Sequence, residues 1–156
     1  MAAASRIATA EAIMESMPAG YSGTPLATKL GIAAEQRLIV IDEPPDFRAL
    51  LAPLPDHVRI ATTLRGRAAL VVLFVTERHE LERRIGPAER AIFPDGGCWI
   101  AWPKRASGVV TDMTEDVVRD VCLPRGLVDN KVCAIDDTWS ALRVVWRRER
   151  RTTLPT

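Results

Sequence analysis

The sequence predicts an α/β domain: a mostly parallel sheet with helices on both faces, closing in an antiparallel C-terminal hairpin. Three observations predict it. Short apolar runs at 37–42, 70–75 and 98–102 read as strands buried on both faces. Segments with helical spacing and helix-start residues lie between them. Two final strand-like segments are joined by a connector short enough for a hairpin.

In chain order, Thr24 and Pro25 open a short helix, Thr as the cap and Pro at the first helical position. Leu26 and Leu30 share a face, and Gly31 ends it. Strand 37–42 follows, then a short helix at 47–51 between proline pairs, then a second strand at 58–62. Residues 63–69 leave little chain for a parallel crossover, so this strand is either an irregular edge or antiparallel to the next. Leu70 to Val75 is the most apolar stretch and reads as a central strand.

Thr76 caps a helix that turns Leu81 and Ile85 inward, and Gly86-Pro87 is expected to kink or restart it. Asp112 and Glu115 have capping-box spacing, with Met113, Val117 and Val121 on one face of the helix that follows. Pro124 and Gly126 end it. Residues 131–135 and 142–146 form the hairpin, and Leu142, Val144 and Trp146 alternate with Arg143 and Arg147.

One domain is expected over 20–150, with 1–19 as an N-terminal tail or short helix and 151–156 as a tail. Lys plus Arg is 21 against 20 for Asp plus Glu, so overall charge argues for neither a nucleic-acid nor a membrane partner. No apolar run nears the roughly 20 residues of a membrane span, and the cytoplasm is the expected location. Cys98, Cys122 and Cys133 lack metal-ligand spacing and read as small core residues; no metal is expected.

The order helix, strand, Pro94-Asp95-Gly96-Gly97 turn, strand, helix, hairpin resembles the second half of a class I methyltransferase, a Rossmann-like fold in which such a turn commonly introduces the fifth strand. The stretches GYSGTPLATKLGI, LFVTERHELE, WPKRASGVVTDMTEDVVRDV and LVDNKVCAIDDTWSALRVV resemble a bacterial family, domain of unknown function 3052, from about Gly20 to Glu149. That resemblance implies a shortened methyltransferase-like fold and no particular activity.

Against orthodox cofactor binding, the loop after the first strand is Asp42-Glu43-Pro44-Pro45-Asp46 rather than glycine-rich. Its prolines offer no amide donors, and its carboxylates would repel the carboxylate of S-adenosylmethionine. The second strand ends in Thr62-Thr63 where an acid would bind ribose. No cofactor is therefore expected, and S-adenosylmethionine is disfavoured.

The best candidate site is the loop from Trp102 to Asp112, between a parallel strand's C-terminal end and a helix start. Trp102 offers a flat face, Lys104 a charge, Ser107 and Thr111 hydroxyls, and Gly108 close backbone approach, a set suited to an anionic or phosphate-bearing ligand. The plainer alternative is a capped loop in which Asp112 caps the helix and Ser107-Gly108 turn the chain. Tyr21, Ser22 and Thr24 form a second candidate before the first helix, or simply a capped start with Tyr21 packing as a staple.

Asp136-Asp137 reads as a turn, and neither histidine has a catalytic partner at recognisable spacing. The basic run Arg147 to Arg151 reads as protection of a terminal edge strand, with too little aromatic content for a nucleic-acid patch. The first reading is a ligand-binding or regulatory module. A divergent S-adenosylmethionine-dependent methyltransferase-like enzyme is the alternative, and a subunit docking on a protein partner or on another copy of itself is a third.

Overall fold

The computed structural model describes residues 23–152. The element order is α1 (Leu26–Leu30), β1 (Arg37–Ile41), α2 (Phe47–Leu51), β2 (Arg59–Ala61), β3 (Leu70–Phe74), α3 (Arg78–Ile92), β4 (Gly97–Pro103), α4 (Glu115–Cys122), β5 (Leu127–Ala134) and β6 (Trp139–Trp146). The six strands form one sheet in the order β2-β1-β3-β4-β6-β5. β2, β1, β3 and β4 run parallel, and β6 is antiparallel to both β4 and β5. The expected architecture is present.

The apolar runs become the central strands because both faces of the sheet are covered. Ile39, Ile41, Val71, Leu73, Cys98 and Ile100 pack with α3 and α4 on one face. Leu38, Val40, Val72, Phe74 and Trp99 pack with α1 and α2 on the other. Each face pins one tryptophan to a helix carbonyl: Trp99 Nε1 donates to Leu30 O at 2.9 Å, and Trp146 Nε1 donates to Glu89 O at 2.9 Å. Burying an indole with its donor satisfied keeps the apolar gain without a desolvation penalty.

The doubtful second strand is a short parallel edge. β2 pairs only with β1, Arg37 opposite Arg59, and is separated from β3 by β1. The return to β3 is made by loop alone. A five-residue strand spans roughly 17 Å, which eight extended residues cover without a helix.

Several expectations are corrected. Pro25, not Thr24, holds the cap position of α1, with no side-chain cap bond. Glu77 precedes α3, and Thr76 does not cap it. α3 continues through Pro87 to Ile92 as one helix. Only one ladder bond is lost there, and buried Ile85, Ala88 and Ile92 hold the helix on the sheet on either side. β6 is no edge: it lies between β4 and β5, so the arginines that follow it guard no open strand.

The three cysteines are buried and unpaired, as their spacing implied. Burial, with Glu89 nearby, pushes the Cys122 thiol up to about 12, and burial raises Cys98 well above its ordinary value. Thiols so held are poor nucleophiles. Among the described residues no helix is long and apolar enough to cross a membrane.

Candidate functional site

Strand order creates the crevice. From the C-terminal end of β1 the chain passes outward to β2, whereas from β3 it passes the other way to β4. Between those two ends the covering loops part, which is where open α/β sheets place ligands. Three loops leave the C-terminal ends of the parallel strands on this side of the sheet: 42–46 after β1, 75–77 after β3 and 104–114 after β4.

The first of these is less repulsive than its composition implied. Asp42 pairs with Arg84 of α3, and Glu43 pairs with Arg48 at 2.6 Å. Two of the three carboxylates thus have a guanidinium beside them, and Asp46 stays exposed. Asp42 also holds the left-handed conformation, φ +59°, that glycine takes most easily. The two prolines shape the entry to α2, with Pro44 O accepting from Phe47 N at 3.1 Å. Sequence reasoning missed both ion pairs: Arg84 lies 42 residues from Asp42, and Arg48, only five from Glu43, reaches it across the turn into α2.

Beyond β4 the chain borders an open cleft of about 780 Å³, with Trp102, Lys104, Gly108, Thr111 and Asp112 on its wall and Ser140 of β6 opposite. Most of the first candidate set is therefore brought together. Lys104 holds the end of β4 against the hairpin connector, its amide donating to Thr138 O at 2.7 Å, while its half-buried side chain faces the cleft rim.

Ser107 is the exception. Its hydroxyl donates to Lys104 O at 2.7 Å and accepts from Val109 N at 3.2 Å, closing a tight turn that Gly108 ends at φ +82°. It does not line the cleft.

Thr111 and Asp112 latch this loop onto the one after β3. Thr111 Oγ1 donates to Thr76 O at 2.6 Å and accepts from Met113 N at 2.9 Å. Asp112 Oδ1 accepts from Arg78 N at 2.8 Å, capping α3 across the chain. The expected capping box is corrected accordingly: α4 begins at Glu115, so the cap falls to Thr114, which accepts from Val117 N at 3.1 Å. An anion entering here meets Asp112 and Glu115 as well as Lys104 and Arg105, so the cleft rim carries both signs of charge.

Thr24 is half-buried and does not line this cleft, and Tyr21 and Ser22 lie outside the described residues. Asp136 is a turn residue, its Oδ1 accepting from the amides of Thr138 and Trp139, each at 2.8 Å.

No protein-family model matches the chain, and no curated protein matches it by sequence. Its fold is shared with solved methyltransferases. A SAM-dependent methyltransferase from Aquifex aeolicus superposes with a TM-score of 0.54 at 10% identity, over 76% of this chain and 86% of that one. Magnesium protoporphyrin IX methyltransferase from Synechocystis, solved with bound SAH, gives 0.51 at 10% identity over 78% of each chain. An O-methyltransferase family 2 protein from Planctomyces limnophilus, in complex with apigenin, gives 0.55 at 10% identity over 94% of this chain and 62% of that one.

These neighbours overturn the expectation of no cofactor. The scaffold is the one SAM-dependent methyltransferases use, one of them solved with SAH in place, and the acidic loop behind that expectation is largely charge-paired. The chain has a methyltransferase-like Rossmann layout.

Proposed function

We propose that this chain is a divergent methyltransferase-like protein that binds S-adenosylmethionine in the crevice between β1 and β3, with the cleft beyond β4 receiving a second, acceptor molecule. The observation that carries it is the strand order: four parallel strands and an antiparallel pair, parting at the β1 and β3 ends, in a fold shared with SAM-dependent methyltransferases.

The residues fit such a cofactor in an altered way. The molecule carries an ammonium, a sulfonium and a carboxylate, so a crevice with both signs of charge suits it better than it suits a simple anion. Asp42 and Glu43 supply acceptors for the ammonium, and Asp42 supplies the left-handed turn that lets the chain pass closely. Pro44 and Pro45 withhold amides, so recognition rests more on side chains than in a glycine-rich loop. The cofactor, when bound, supplies an electrophilic methyl group. Trp102, Lys104, Gly108, Thr111 and Asp112 belong to the acceptor side of the same reading. Membership of domain of unknown function 3052 and a cytoplasmic location complete it.

Isothermal titration of the full chain with S-adenosylmethionine and S-adenosylhomocysteine tests this. Saturable heat and a raised Tm are expected, with affinity falling about tenfold in Asp42→Asn, the loss of one charged hydrogen bond. Neither heat nor stabilisation at millimolar ligand overturns it.

A further inference from the structure

The end of the sheet opposite the crevice gathers arginines that are scattered along the sequence. Arg37 and Arg59 begin β1 and β2, and Arg65 and Arg67 lie in the loop entering β3. Arg90 stands in the last turn of α3. Because β6 is antiparallel to β4, its C-terminal end also arrives here, bringing Arg147, Arg148, Arg150 and Arg151.

Close approaches tie these groups into one surface. Arg37 donates to Arg67 O at 2.6 Å, and Arg67 and Arg90 share the wall of a shallow hollow of about 280 Å³. A Cβ placed on Gly86 would stand 3.8 Å from Arg90 and 3.4 Å from Arg125, and one on Gly126 would stand 3.2 Å from Arg150. Burial, and the Arg151 cation in addition, hold Arg143 below the usual arginine range.

Among the described residues none of Arg37, Arg59, Arg65, Arg67 or Arg90 makes an ion pair, and neither does any arginine from 147 to 151. The carboxylates at this end are fewer: Glu35, Asp56, Asp95 and Glu149, with Glu89 already taken by Arg125.

We propose that this arginine face binds the phosphate backbone of double-stranded nucleic acid. Three features select that partner. The cations are all guanidinium groups, whose planar fork matches phosphate oxygens in pairs. Among the described residues, Leu123 is the only large exposed apolar side chain toward this end, so a membrane would find little to bury here. Among the described residues the aromatics at this end, Phe93 and Trp146, pack on each other and are buried, Trp146 bonded to Glu89, so they offer no stacking platform for unpaired bases. Bonds to phosphate alone position a duplex without reading its sequence. Composition argued against such a partner only because the carboxylates that balance these arginines lie mostly at the other end.

The test is fluorescence anisotropy of the full chain with labelled DNA and RNA duplexes over a salt series, since phosphate binding does not separate the two. Binding of either duplex is expected, with affinity falling steeply as salt rises. The triple variant Arg65→Glu, Arg67→Glu, Arg148→Glu should weaken it more than about tenfold and flatten the salt slope by roughly one unit for each phosphate no longer neutralised. Arg67→Glu alone should weaken it more than about threefold, whereas Lys131→Glu, an equal single charge change on the exposed edge strand β5, should leave affinity within about twofold. Circular dichroism confirms that each variant is folded. No binding of either duplex at low salt overturns the proposal. So does equal weakening by Lys131→Glu, or binding confined to anionic phosphatidylserine vesicles. None of those outcomes bears on the cofactor crevice.

Discussion

Where the parallel strands finish, charged side chains are matched: Arg84 meets Asp42, Arg48 meets Glu43, and Asp112 closes the first amide of α3. Where they begin, arginines stand in a group with few carboxylates among them, Arg125 alone being tied to buried Glu89 through bonds of 2.6 and 3.0 Å. Matched charge makes a crevice that tolerates a ligand of mixed sign. Unmatched charge of one sign attracts a partner of the other. A near-zero net charge thus conceals a molecule with two unlike ends.

Breaking one arginine at each end gives the sharpest contrast. Arg125→Ala leaves the Glu89 carboxylate, 5% exposed, without its partner and should cost about 3 kcal/mol, read from the urea midpoint. Arg84→Ala removes a more open pair and should cost less than about 1 kcal/mol, shrinking further in salt. Equal losses would show that the two ends are not built differently.

Two glycines divide the ends on steric grounds. A Cβ on Gly96, just before β4, would meet Ala69 O at 2.8 Å and Ile92 O at 3.0 Å, and backbone on both sides has little room to yield. Gly96→Ala should cost about 2 kcal/mol. A Cβ on Gly108 meets nothing within 4 Å, so only its φ of +82° resists. Gly108→Ala should cost about 1 kcal/mol in the same titration.

The most local effect concerns the latch beside the cleft. Thr111→Val keeps the shape and removes the hydroxyl that joins Thr76 O to Met113 N. A loss of about 1 kcal/mol is expected, with faster amide exchange at Met113 and Arg78 but not in β3. Unchanged exchange at both amides would mean that other bonds hold the loop.

The apolar runs at 37–42, 70–75 and 98–102 were legible as buried strands because burial on both faces demands continuous apolar sequence, a local signature, and β1, β3 and β4 match them within a residue at each end. Helix α2 was legible to the residue because prolines bracket it. Much of the cleft was legible too, since a loop between a strand end and a helix start is a place that chain order defines. The helix caps were less so. Asp112 and Glu115 have the spacing of a box, yet two more residues of loop hand the cap to Thr114 and free Asp112 for another helix.

By itself the sequence determined the fold class, the buried strands, the faces that α1 and α3 bury and the hairpin, all of which rest on periodicity and turn chemistry within short windows. Tertiary structure alone decided that β2 is a parallel edge, that β6 is internal, that Arg84 answers Asp42, and that arginines spread from 37 to 151 share one end. Those facts depend on which strands become neighbours, and neighbours are set by the packing of the whole sheet rather than by any stretch of chain.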